Sequence, residues 1–82
     1  MKISFQWHHI KFQDDQKKSI EERFKDDLKS LLAEGTNEAC VLFEEYLPAI
    51  KLNGFITDLS GSKLFSFNCH QSNNFTTDYT KI

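Results

Sequence analysis

The apolar positions at the start of the chain change period once. Ile3, Phe5 and Trp7 alternate with polar neighbours, and beyond His8 and His9 the apolar phase shifts to Ile10 and Phe12. In a strand successive side chains face opposite sides, so a one-residue shift of phase marks a bulge or a bend. From Ile20 the spacing lengthens to Ile20, Phe24, Leu28, Leu31 and Leu32, which is the inward stripe of an amphipathic helix. A strand therefore feeds a long helix. Asp14 and Asp15 supply acceptors and negative charge at a helix start, while Ser19 to Glu22 forms a second, later capping box; Asp14 is the preferred start. Gly35 is the expected C-terminal cap, and Glu21/Lys25 and Lys18/Glu22 are expected as exposed pairs four residues apart.

Residues 39–46 carry apolar side chains on both alternating sets, Cys40, Leu42 and Tyr46 against Val41 and Phe43, as an interior strand requires. Pro48 then interrupts the pairing. Ile50, Leu52 and Ile56 share one parity in the next segment, and Phe65, Phe67 and Cys69 share one parity beyond the Asp58-Leu59-Ser60-Gly61-Ser62 turn. The two segments are expected to form a hairpin. Residues 71–82 are polar except for Phe75, Tyr79 and Ile82, and read as a loop, a last short strand or a frayed helix.

Eighty-two residues make a single domain spanning 1–82, with the tail from residue 71 on able to be irregular. Eight Phe, one Trp and two Tyr supply large buried areas from few residues. The expected class is α+β, one long helix packed on a three- to four-stranded, mostly antiparallel sheet in the order β-α-β-β-β. No segment reaches the ~18 apolar residues of a membrane helix, and the polar N-terminus lacks the apolar centre of a secretory signal. With only Cys40 and Cys69 as thiols, a disulfide scaffold is not indicated. The expectation is a cytoplasmic chain with two buried thiols.

Catalytic chemistry finds little to work with. His8-His9 and Cys69-His70 have no zinc-motif spacing, and adjacent strand residues point to opposite faces. The same geometry separates a Cys69 nucleophile from His70. Asp14-Asp15 and Glu44-Glu45 read as solvated charges rather than as convergent acid/base pairs. Three glycines, Gly35, Gly54 and Gly61, form no phosphate-cradling loop. No cofactor, metal or enzymatic activity is expected. Phe65 and Phe67 lie on one strand face, as in RNA-stacking modules, but with one helix to cover the sheet they read as core.

Ten basic against twelve acidic side chains leave a net charge of −2, so no general basic surface exists. The cations concentrate early. Lys11, Lys17, Lys18, Arg23, Lys25 and Lys29 form the only cluster able to reach a phosphate backbone, interleaved with Glu21, Glu22, Asp26 and Asp27.

Residues 1–24 resemble the start of the ribosome hibernation-promoting family, small ribosome-associated proteins that include translation inhibitors. Ile3-Ser4-Phe5-Gln6 is similar to the family's opening strand, Trp7-His8-His9 occupies its break, Ile10-Lys11-Phe12-Gln13 follows, and Ile20 and Phe24 sit at the inward helix positions. Residues 39–45 and 61–69 resemble later strands. Trp7 stands where the family has glycine and Gln13 where it has threonine. The resemblance implies a β-α-β-β-β-α fold and a non-catalytic protein that lies in the small-subunit channel with basic helix faces on ribosomal RNA; here the six cations above would make those contacts. The alternative is a small inhibitor or immunity-like protein that binds one protein partner through an acidic edge of Glu38, Glu44, Glu45 and Asp58. Trp7 is then either a core plug or an anchor for that partner. An exposed edge strand could also pair two copies.

Overall fold

The computed structural model describes residues 1–48, 51–70 and 76–82. Along them run β1 (Lys2–Trp7), α1 (Asp14–Leu31), β2 (Glu38–Leu47), β3 (Lys51–Thr57), β4 (Lys63–His70) and β5 (Thr76–Lys81). The five strands form one sheet in sequence order, β1-β2-β3-β4-β5. β1 and β2 are parallel, Phe5 opposite Val41, and α1 supplies the crossover that a parallel pair needs. The other three pairings are antiparallel. The class is α+β as expected, with five strands where three or four were expected. The additional strand is β5, in the tail whose conformation the polar pattern left open; Ile50 and Phe75 lie outside the described residues.

The phase change after Trp7 is a bend. β1 ends there, and His9 takes a positive φ of 56° before Ile10 turns into the core. Gln13 is the N-cap of α1, its backbone N–H donating to the Gln16 side chain at 3.2 Å, so Asp14 is the first helical residue. Asp14 and Asp15 occupy the first turn and Lys29 the last, favourable ends for both signs of charge. Gly35 does not cap the helix. α1 stops at Leu31, the Leu32 N–H still reaches the Leu28 carbonyl at 3.0 Å, and Gly35, at φ +94°, sits in a separate turn closed by Thr36 N–H to Ala33 O.

One face of the sheet and α1 enclose the core: Ile10, Phe24, Leu28, Val41, Phe43, Leu52, Ile56, Phe67 and Cys69. Phe24 makes edge contacts with Phe43, Phe67 and Tyr79, at centroid separations of 5.2, 4.7 and 6.0 Å. Phe65 and Phe67 belong to this helix-covered face. A bulge between Phe43 and Glu45 breaks the parity of β2, so Tyr46 returns to the helix side and meets Phe12 edge-on at 4.7 Å instead of sharing a face with Cys40 and Leu42. Gly54 faces Phe43 next to this bulge; a Cβ there would collide with the Leu42 carbonyl oxygen and lie 2.9 Å from Phe67 Cζ.

The β3–β4 hairpin closes through Asp58. Its carboxylate accepts the Ser60 N–H at 2.9 Å, the Ser60 hydroxyl at 2.6 Å and the Ser62 N–H at 3.0 Å, while Gly61 takes φ +88°. The hydrogen bond from Ser60 leads the contacts that hold the Asp58 carboxyl below its ordinary range.

Candidate functional site

The polar side of α1 carries the cations, and helical geometry sorts them. Lys18, Lys25 and Lys29 are seven and four residues apart, close to two turns and one turn, so they line one flank of the helix, above β1. Each is exposed. Lys25 Nζ lies 5.9 Å from the Phe5 ring centroid, and Lys17 Nζ lies 5.9 Å from that of Trp7, so both lysine stems lie along the aromatic side chains of β1. Arg23 departs from this line. It falls on the flank toward β5, close enough for its charge to act on Cys69. Lys11 precedes the helix in the β1–α1 connection. The structure thus aligns three of the six expected phosphate contacts, adds Lys17 at the Trp7 end, and separates Arg23.

Below that flank runs a groove of about 430 Å³ lined by Met1, Ile3, Glu22, Lys25, Asp26 and Lys29. Its floor is apolar and its wall alternates in sign. Asp26 and Lys29 approach to 3.8 Å with both side chains exposed, a contact worth little in water. Glu21 is not left to pair with Lys25: it accepts the Trp7 indole N–H at 2.9 Å. Trp7 also stacks on Phe43 at 3.8 Å and 13° and tilts against Phe12 at 5.4 Å. Its ring is half-buried against the core, between the two roles the sequence allowed.

The acidic set is also divided. Glu38 and Asp58 meet at a shallow depression completed by Asn37, Leu59 and Ser60, whereas Glu44 and Glu45 lie six and seven residues further along β2, about 20 Å away at ~3.3 Å per residue. Glu45 accepts from the Asn53 side-chain amide at 3.3 Å. Leu59, beside Glu38 and Asp58, is 75% exposed.

Among the described residues, the groups weighed for catalysis or metal binding do not come together as one site. Cys69 is fully buried, accepts a hydrogen bond from the Thr77 hydroxyl at 3.4 Å, and has its thiol pushed up to about 11 by burial. His70 is exposed and faces Asp78 at 3.2 Å. The His8 and His9 rings meet edge to face at 4.1 Å. Among the described residues no three His, Cys, Asp or Glu side chains converge as metal ligands, and no helix is long and apolar enough to cross a membrane.

Two features escaped the sequence reading. Tyr79 donates its hydroxyl proton to Asp27 at 2.6 Å, tying β5 to α1 across 52 positions of sequence. On the sheet face away from α1, Leu42 and Phe55 are cross-strand partners, with Lys63 Nζ 4.0 Å from the Phe55 ring centroid. The opposite parity of Phe55 to Leu52 and Ile56 was the available signal for the second. Compared with protein-family models, curated proteins and solved structures, the chain matches none.

Proposed function

We propose that the protein is a non-enzymatic cytoplasmic binding domain that, like the ribosome hibernation factors it resembles, docks on ribosomal RNA of the small subunit. The observation that carries this reading is the alignment of Lys18, Lys25 and Lys29 along one exposed flank of α1. Phosphate oxygens accept from lysine ammonium groups without demanding base sequence, so a row of three cations positions an RNA backbone. The element order β-α-β-β-β through His70 is the order the resemblance implies, which adds support. β5 follows β4, and among the described residues the proposed contact lies on α1.

Sedimentation of native lysate on sucrose gradients, with the protein tracked by antibody, tests the reading. Co-migration with the small subunit is expected at low salt. With three phosphate contacts, raising the salt from 50 to 200 mM should weaken binding roughly 20- to 40-fold. The double variant Lys18→Glu/Lys25→Glu should remain folded, because both side chains are exposed, and should leave the ribosomal fractions. Unchanged co-sedimentation of that variant would remove this flank from consideration.

A protein partner is the second reading, and one observation favours it: exposed Leu59 lines the same shallow depression as Glu38 and Asp58, an apolar side chain beside two acidic ones. Recovery of the protein in a discrete smaller complex that dissolves on Leu59→Ser would establish this inhibitor-like or immunity-like reading in place of the first.

A further inference from the structure

We infer that the β1 edge is a self-association surface, on which β1 of a second copy pairs antiparallel to form a continuous ten-stranded sheet. Four observations lead there. First, β1 is the terminal strand of the sheet, and among the described residues nothing pairs beyond it. Second, its free edge has a defined polarity. Lys2 N–H donates inward to Asn37 O at 2.8 Å and His8 N–H to Phe43 O at 2.9 Å, so the even-numbered residues bond to β2. By the alternation of a parallel ladder, the N–H and C=O groups of Ile3, Phe5 and Trp7 point outward.

Third, the devices that usually protect an edge are missing from β1. It contains no proline and no bulge, and its one charge, Lys2, stands at the first position. The other terminal strand, β5, carries Asp78 and Lys81, and its Tyr79 is held by Asp27. Fourth, the groove beside β1 is self-complementary. Around the Met1 and Ile3 floor stand two anions, Glu22 and Asp26, and two cations, Lys25 and Lys29. A two-fold axis brings a patch onto itself, so an isologous partner needs this balance of signs.

The register follows from side-chain parity. Directly opposed residues of an antiparallel pair share a face. Phe5 opposite Phe5 of the second copy, with Ile3 opposite Trp7, places all three outward-facing backbone pairs in hydrogen-bonded positions and keeps both helices on one side of the sheet. The axis then passes near Lys25, and Glu21 and Glu22 of one copy lie toward Lys29 of the other. The pairing covers Lys25 and Lys29, so a second copy and an RNA backbone would compete for the same flank. The inference does not rest on the RNA reading, because it is tested on the purified protein without nucleic acid.

Analytical ultracentrifugation over a concentration series, up to on the order of 100 μM, is the experiment. The expected result is a concentration-dependent rise from the 9.6 kDa of one chain to twice that mass. E22K/D26K makes the groove wholly basic and K25E/K29E makes it wholly acidic. Each variant alone should stay monomeric, and an equimolar mixture should recover the dimer. Amide hydrogen exchange locates the edge, with protection of Ile3, Phe5 and Trp7 rising with concentration. A wild-type chain that stays at monomer mass overturns the inference. So does a dimer that both variants leave intact, or one whose new protection falls on β5.

Discussion

Gly54 is the residue whose identity is most tightly constrained by its neighbours. A Cβ at this position would enter the space of the Leu42 carbonyl oxygen, a backbone atom that cannot rotate away, and would crowd the Phe67 ring at 2.9 Å. The position is buried and faces the β2 strand beside the bulge that turns Tyr46 inward. Gly54→Ala should therefore cost about 2–3 kcal/mol through overpacking, although alanine favours a strand no less than glycine does. Urea denaturation of the two proteins would measure this. A loss below about 0.5 kcal/mol would mean that β2 and β3 separate more readily than their register implies. Gly35 and Gly61 differ, since a Cβ on either meets open space and positive φ alone recommends glycine there.

At the scale of elements, α1 is fastened to the sheet at both sides by polar contacts that flank the aromatic core. Trp7 to Glu21 joins the helix to β1, and Tyr79 to Asp27 joins it to β5. β5 has a sparse apolar pattern, with Tyr79 as its one large apolar member, so its attachment to the helix runs through the Tyr79 ring on Phe24 and the hydroxyl bond to Asp27. Tyr79→Phe keeps the ring against Phe24 and Phe67 but leaves the Asp27 carboxylate without its donor. The expected loss is about 1–2 kcal/mol, with faster amide exchange in β5 than in β2. Equal acceleration in every strand would instead show that β5 opens only when the whole sheet does.

For the molecule as a whole, the shifted groups predict how stability depends on pH. Asp58 is held below its ordinary value by the turn it organises, so its contribution is present above an unfolded pKa near 3.8 and is lost as pH falls through the lower folded value. Cys69 and Tyr79 act at the other end. Burial raises the Cys69 thiol from 9.0 to about 11, and burial together with the Asp27 hydrogen bond raises the Tyr79 phenol above its usual 10.0. Both are acids kept neutral by the fold. Their contribution is complete below the unfolded pKa and is lost as pH rises toward the folded one, because the unfolded chain then binds fewer protons. Stability should begin to fall near pH 9, and Cys69→Ala should delay that onset toward pH 10, where tyrosine begins to ionise in the unfolded chain. Chemical denaturation at intervals from pH 7 to 11 would show this, and an onset unmoved by the substitution would assign the alkaline loss to other groups.

Periodicity made much of the architecture legible in the chain itself. The change from period two to a helical stripe located β1 and α1, the Asp58 to Ser62 turn located the β3–β4 hairpin, and the parity of Phe65, Phe67 and Cys69 put them in the core. These are local properties, set by the side-chain directions of a single helix or strand. The sorting of Lys18, Lys25 and Lys29 from Arg23 has the same local origin in helical spacing. Other features arise only where distant segments meet. The bulge after Phe43 reversed the expected side of Tyr46, pairing with β4 made a strand of a threonine-rich tail, and strand length separated Glu38 and Asp58 from Glu44 and Glu45. Sequence determined which side chains seek an interior. Tertiary structure decided which strand was left as an edge and which charges came to stand beside it, because register, bulges and sheet order depend on partners that no local pattern specifies.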